Sequence, residues 1–217
     1  MPGRDCPRCP RLVAFRQSWR ASEPSWFNAP VDSFGPSGAQ LLIIGLAPGL
    51  RGANRTGRPF TGDYAGDLLY TTLAEFGFAR GNYAARPDGG LELIDCRITN
   101  AVRCVPPDNK PTPQEITTCR DFLKAAIAEM NNLRAVIALG RIAHDSFVLA
   151  SAARRSQFPF GHGRAHAVAA LTLIDSYHCS RYNTNTGVLT TQMFRDVIAA
   201  ARKIIDAQPQ HALAATP

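Results

Sequence analysis

The chain has 217 residues, 45% of them hydrophobic, with 24 Lys and Arg against 17 Asp and Glu and a formal net charge of +7. That length and apolar content suit one compact domain and exclude a chain disordered throughout. The basic surplus favours an anionic partner, nucleic acid ahead of an anionic membrane surface.

No apolar run is long enough to span a bilayer, and Met1 to Cys6 has no apolar signal-peptide core. We therefore expect a cytoplasmic, monomeric protein with no membrane partner. Thiols stay reduced in that compartment, so clustered cysteines point to metal or catalysis rather than disulfides.

Residues 6–20 open with Cys6 and Cys9, then carry Leu12, Phe15 and Trp19 at helical spacing. Residues 22–38, rich in Pro, Ser and Gly, read as a loop. Leu41-Leu42-Ile43-Ile44-Gly45 suits a fully buried parallel strand. A Gly/Pro/Thr loop, Leu46 to Asp63, leads to a helix over 65–76 with Leu68, Leu69, Leu73 and Phe76 on one side. After turn-rich residues 82–92, a second strand covers 94–102. Pro106 to Pro111 is a loop, and Thr112-Pro113-Gln114-Glu115 is a capping box with proline at the first helical position. That helix runs to about Met130. Ala135 to Leu139 is a third strand, a helix starts near Arg141, and Leu171 to Ile174 is a fourth strand running into Ser176-Tyr177-His178. The last helix spans 190–206. We expect a single domain over 1–206 and a disordered tail over 207–217.

Strands alternating with helices predict an α/β fold of three layers, with a central four-stranded parallel sheet flanked by helices. Ligands of such sheets bind beyond the carboxyl ends of the strands. Three polar or glycine-rich segments lie there: Leu46–Asp63, Asn100–Cys104 and His178–Gly187.

Six cysteines are present, at 6, 9, 96, 104, 119 and 179. Cys6 and Cys9 have the spacing that lets two thiolates reach one metal centre, and Cys104 and Cys119 flank the loop before the capped helix. Zinc and a [4Fe–4S] cluster both accept four cysteines, and Cys104 and Cys119 also read as small buried hydrophobes. Cys96 reads as core, Cys179 as a spectator near the site, and His144, His162, His166 and His211 as structural or surface residues.

Gly45-Leu46-Ala47-Pro48-Gly49, the run Gly52 to Asp63, Asn100-Ala101-Val102-Arg103-Cys104, and His178-x-Ser180 with Asn183-Thr184-x-Thr186-Gly187 stand in order along nearly the whole chain. With the cysteines, this pattern resembles the family 5 (type b) uracil-DNA glycosylases. The resemblance implies a [4Fe–4S] cluster with a structural role on Cys6, Cys9, Cys104 and Cys119. It also implies cleavage of uracil, and of hypoxanthine or other deaminated bases, from double-stranded DNA. Two departures stand out. Leu46 occupies the place where family 4 has a glutamate, as family 5 does, and Cys179 stands where many relatives have proline.

Such chemistry needs the nucleotide flipped out of the duplex, negative charge stabilised on the departing base, and water brought to C1′. A neutral His178 N–H aimed at uracil O2 suits the first demand on charge. The amide of Asn100 suits the Watson–Crick edge, and Phe60 the base face. The Gly45–Gly49 turn, with Leu46, Ala47 and Gly49, offers backbone to the base or phosphate, and Ser180 completes the second motif. Asp63 either orients the water or caps the helix that follows. Arg51, Arg55 and Arg58 are expected on phosphates, and Arg181, Tyr182 and Asn183 in a minor-groove wedge. A non-catalytic iron–sulfur or zinc DNA-binding module and an electron carrier are the competing readings.

Overall fold

The computed structural model describes residues 2–207; positions 208–217, and with them most of the expected disordered tail, lie outside the described residues. Strand β1 (Leu41–Gly45) pairs in parallel with β4 (Cys96–Asn100) on one side and β5 (Ala135–Leu139) on the other. Strand β7 (Leu171–Ser176) continues the parallel order beyond β5. These are the four parallel strands the sequence predicts. A fifth, β6 (Ala165–Val168), closes the edge antiparallel to β7, so the sheet is mixed and five-stranded. Its sequence, Ala-His-Ala-Val, has one fully buried side chain, which is why apolar periodicity misses it. A two-stranded hairpin, β2 (Ala79–Arg80) with β3 (Glu92–Leu93), lies outside this sheet.

Each central strand is buried on both faces, as continuous apolar runs require. Ile43, Ile98, Ile137 and Ile174 pack on one face against α3 (Tyr64–Glu75) and α7 (Thr191–Asp206). Leu42, Ile44, Val136 and Leu173 pack on the other against α4 (Pro113–Ala128) and α5 (Arg141–Ala150). The three-layer expectation holds, with a side chain such as Leu69, Phe147 or Phe194 contributing roughly 1.5–3 kcal/mol through burial.

The capping box forms as read. Glu115 N–H donates to Thr112 Oγ1 at 3.2 Å and Thr112 N–H to Glu115 Oε2 at 2.7 Å. Glu115 also receives a two-pronged Arg11 guanidinium at 2.8 Å on each oxygen. Helix α1 (Pro10–Ser22) is thereby fastened to the head of α4, which brings the two cysteine pairs together.

Candidate active site

All four parallel strands point the same way, so Gly45, Asn100 and the segment after Ser176 emerge at one end of the sheet. A cavity of about 670 Å³ opens there, lined among others by Leu46, Ala47, Gly49, Phe60, Asp63, Asn100, His178 and Ser180. The three segments singled out from the sequence do converge.

Gly45 makes the floor possible. A Cβ at this position would collide with Asn100 Oδ1 and stand 2.6 Å from Phe60 Cζ. With only hydrogen there, the Asn100 amide and the Phe60 ring both press against the strand end. Phe60 sits at φ +51°, a conformation costly for a bulky residue and held by its surroundings. Tyr83 Oη donates to its carbonyl at 3.1 Å, and Tyr70 Oη donates to the neighbouring Pro59 carbonyl at 2.6 Å. Asn100 is buried, and its Oδ1 has no hydrogen-bond partner. A buried amide oxygen left free at a pocket wall is an acceptor waiting for a ligand N–H.

The His178 ring lies near-parallel to Phe60, centroids 5.8 Å apart. Burial depresses its pKa to about 4, so it is a neutral imidazole at pH 7. Its loop is self-supporting: Ser180 Oγ accepts the Asn183 N–H and caps α6 (Arg181–Asn185), while Asn183 Nδ2 donates to the His178 carbonyl at 2.9 Å. Asn183, expected on the DNA side, therefore braces the histidine from within.

Asp63 stands at the N-cap of α3 and faces the same cavity. Its Oδ2 packs where side chains on Gly49 and Gly52 would be, and its Oδ1 is buried without a partner. Desolvation raises its pKa, partly offset by the backbone amides of Gly66 and Ala65. Asp63 holds the N-cap position but makes no side-chain cap hydrogen bond, and its Oδ1 stays unpartnered beside the cavity.

Arg51 and Arg181 are exposed at the pocket mouth, the latter with its guanidinium 5.2 Å from the Tyr64 ring centre. Arg55 is exposed nearby on α2 (Ala53–Thr56), and Tyr182 is 74% exposed. Arg58 departs from expectation. It is buried, its Nε donates to Thr61 Oγ1 at 2.9 Å, and its other nitrogens donate to the carbonyls of Pro87 and Arg86 at 3.0 and 2.8 Å. Its guanidinium also lies over the Phe34 ring. A side chain so engaged cannot reach a phosphate. Tyr64, Gly62 and Asn109 line the pocket without having been foreseen; of these only Gly62 lay within a quoted motif.

Cys6, Cys9, Cys104 and Cys119 line a second, small cavity, together with Val102. Arg16 and Arg103 line it too, 3% and 1% exposed, and neither pairs with a carboxylate among the described residues. Arg16 Nη1 donates to Cys104 Sγ at 3.6 Å and the Arg103 backbone N–H to Cys119 Sγ at 3.3 Å. Arg16 Nε, Arg103 Nε and Arg103 Nη2 have no partner. Two buried cations without counter-ions fit an anionic thiolate centre. Among the described residues only His144, His166 and Asp175 gather three such ligand atoms within 4.8 Å. No three of the four cysteine sulfurs lie within 4.8 Å of one another.

Fold and cavity together define a three-layer α/β protein with a strand-end slot for a flat, polar-edged ring. The family described as Uracil DNA glycosylase superfamily matches residues 32–202. The type-5 uracil-DNA glycosylase of Thermus thermophilus is 42% identical over 206 residues, covering 92% of this chain and 93% of its own. That of Pyrobaculum aerophilum is 36% identical over 201 residues, covering 91% and 88%. A type-4 uracil-DNA glycosylase from Archaeoglobus fulgidus is 34% identical over 116 residues, covering 52% of this chain and 49% of its own. The chain belongs to the uracil-DNA glycosylase superfamily, and within it to the type-5 enzymes.

Proposed function

We propose that this protein hydrolyses the N-glycosidic bond of uracil in double-stranded DNA, leaving an abasic site, and that hypoxanthine and other deaminated bases enter the same pocket. The observation that carries this is the meeting of an unpartnered Asn100 Oδ1, the Phe60 ring and a neutral His178 in one strand-end cavity.

The flipped base lies against Phe60, where stacking is worth roughly 1–3 kcal/mol. Asn100 Oδ1 accepts the N3–H of uracil while its Nδ2 donates to O4. His178, uncharged, donates an N–H to O2 and stabilises the anion as the bond to C1′ breaks; this donor is set before the reaction and needs no proton transfer. The free oxygen of Asp63 orients the water and stabilises the positive sugar. Leu46 adds no acid or base at the place where family 4 has glutamate.

Arg51, Arg55 and Arg181 hold phosphates around the mouth, with Tyr182 as the exposed tip that enters the gap left by the base. Cys6, Cys9, Cys104 and Cys119 would hold a [4Fe–4S] cluster, balanced by Arg16 and Arg103. When bound it ties α1 to the Val102–Cys104 segment and α4 and supplies no step of the hydrolysis. The protein acts as a monomer in the cytoplasm, on nucleoid DNA.

The test is release of uracil from a duplex with one U, read as alkali-labile breakage at that site. Cleavage by the wild type, with strong loss in His178→Ala and Asn100→Ala, is the expected result. Tight binding without breakage would identify a non-catalytic DNA-binding module. In the same assay, log affinity against log salt should flatten by about one phosphate's worth for each of Arg51→Ala, Arg55→Ala and Arg181→Ala.

A further inference from the structure

Asp175 is fully buried on β7, three residues before His178. Its Oδ1 lies 2.6 Å from His144 Nδ1, on α5. Its Oδ2 accepts the Gly161 N–H at 3.0 Å and faces His166 Nε2, on β6, at 3.1 Å. The second nitrogen of His144, Nε2, lies 2.7 Å from the Phe158 carbonyl.

A carbonyl oxygen only accepts, so His144 Nε2 carries hydrogen. A carboxylate also only accepts, so the contact at Nδ1 would set two lone pairs face to face unless a cation lies between them. A metal ion does not fit: with bonds of ~2.0–2.1 Å, tetrahedral ligands stand about 3.3 Å apart. The cation is a proton, and because Asp175 also accepts the Gly161 N–H, which favours the ionised carboxylate over a carboxylic acid, the proton belongs on His144.

We propose that His144 is a buried imidazolium, and that its ion pair with Asp175 is the positioning device that fixes the backbone carrying His178. This rests on the reading of His178 as the group that meets the departing base.

Two chains of contacts run from the pair to that backbone. On one side, the backbone N–H of His144 donates to the Gly140 carbonyl at 3.1 Å, and the Gly140 N–H donates to the Ser176 carbonyl at 2.8 Å. Gly140 sits at φ +96°, and a Cβ there would stand 3.9 Å from His178 Cβ. On the other side, Gly161 binds the Asp175 carboxylate, and Gly163 N–H donates to the Asp175 carbonyl at 2.8 Å. Between them, His162 Nδ1 accepts the Tyr177 N–H at 3.0 Å while its ring stacks on Tyr177. Both chains end on residues 176 and 177, next to His178.

The ionisable groups around His144 are Asp175 from β7, His166 from β6 and Asp145 from its own helix, the last 3.3 Å from Arg155. Burial opposes a charge on His144. The hydrogen bond and charge of Asp175, with the Phe158 carbonyl and Asp145, outweigh it and raise the pKa. The pair is therefore present below that elevated pKa and is lost as pH rises through it.

Two substitutions separate position from charge. In Asp175→Asn the new N–H₂ donates to a neutral His144, while the amide oxygen still accepts from Gly161 and His166. Every contact survives without the extra proton. Asp175→Ala removes them all. Full-length protein is read by ¹⁵N-histidine NMR and by single-turnover uracil release across pH 5–10, with DNA affinity measured alongside.

We expect both ring nitrogens of His144 to be protonated at pH 7 in the wild type and only one in Asp175→Asn. Asp175→Ala should release uracil about tenfold to a hundredfold more slowly, the scale of a misplaced reacting group, with DNA affinity within threefold. Asp175→Asn should stay within threefold of wild type and lose the alkaline fall in rate. A neutral His144 in the wild type at pH 7, or wild-type cleavage by a folded Asp175→Ala, overturns the proposal. If Asp175→Ala does not fold, the NMR reading and the pH profile of Asp175→Asn decide alone. A wild type that releases no uracil at any pH refutes the proposed function, and ring protonation still decides the ion pair.

Discussion

Gly45→Ala adds one methyl group to the molecule and places it in the pocket floor. Gly45 lies outside the left-handed region, so alanine fits the local backbone, and the strand pairing to Asn100 and the Gly45 carbonyl bond to Ala101 N–H at 2.9 Å are untouched. The new Cβ would collide with Asn100 Oδ1 and approach Phe60 Cζ to 2.6 Å. Both side chains must retreat. Losing base stacking costs roughly 1–3 kcal/mol, and losing an aligned hydrogen bond about 1 kcal/mol. Together, about 2–4 kcal/mol of transition-state stabilisation corresponds to a fall of about 30- to 1000-fold in kcat/KM. Single-turnover release of uracil from duplex DNA measures it. Affinity for undamaged DNA, set by exposed arginines, should not change, and thermal stability should fall only by the overpacking cost of ~1–3 kcal/mol. Cleavage within threefold of wild type would show that Asn100 and Phe60 do not hold the base.

Two further outcomes follow from the buried groups. Because burial holds His178 at about pKa 4, against about 6.5 unfolded, the unfolded chain binds the extra proton between those values. Stability should therefore fall by about 2–3 kcal/mol as pH drops from 6.5 to 4, and urea denaturation of His178→Asn should lack that component. Arg58→Met should lower stability by about 2–3 kcal/mol, through three lost donors to Thr61, Pro87 and Arg86, and leave the salt dependence of DNA binding unchanged. A flattened salt slope with unchanged melting would restore Arg58 to the DNA surface.

The parts of the structure that follow a local rule were legible. Leu41–Gly45 and Ala135–Leu139 are apolar runs with no alternation, so they had to be doubly buried strands. Thr112 to Glu115 carries its own capping geometry. Asn100 and His178 were legible as site residues because they stand at strand ends, where parallel order brings distant segments together. What the sequence hid depends on partners in other segments. Arg58 belongs to a motif rich in arginine, and only the fold shows that loop 86–87 offers it carbonyls. His144 carries no signal of its own; its role is set by a carboxylate 31 residues away and by a carbonyl on the chain between. Strand β6 is defined by pairing to β7 rather than by any apolar pattern.

On the proposed reading of the site, the unpartnered Asn100 Oδ1 gives the pocket its selectivity. A buried acceptor without a donor costs about 1–3 kcal/mol, and Asn100 Oδ1 bears that cost in the free protein. A base with N3–H removes it on entry. Cytosine presents a lone pair at N3 and an amino group at C4, so acceptor would face acceptor and donor would face donor, and the penalty would grow rather than vanish. A site built around a hydrogen bond can reject an analogue lacking it by several orders of magnitude, which contact with an apolar wall cannot achieve. That requires the amide to be unable to turn over, and its burial against the Gly45 backbone supplies the restraint. If Asn100 reads the base as proposed, the glycine that makes room for it also holds the reading group in place, and discrimination against cytosine should be lost together with rate when that position gains a methyl group.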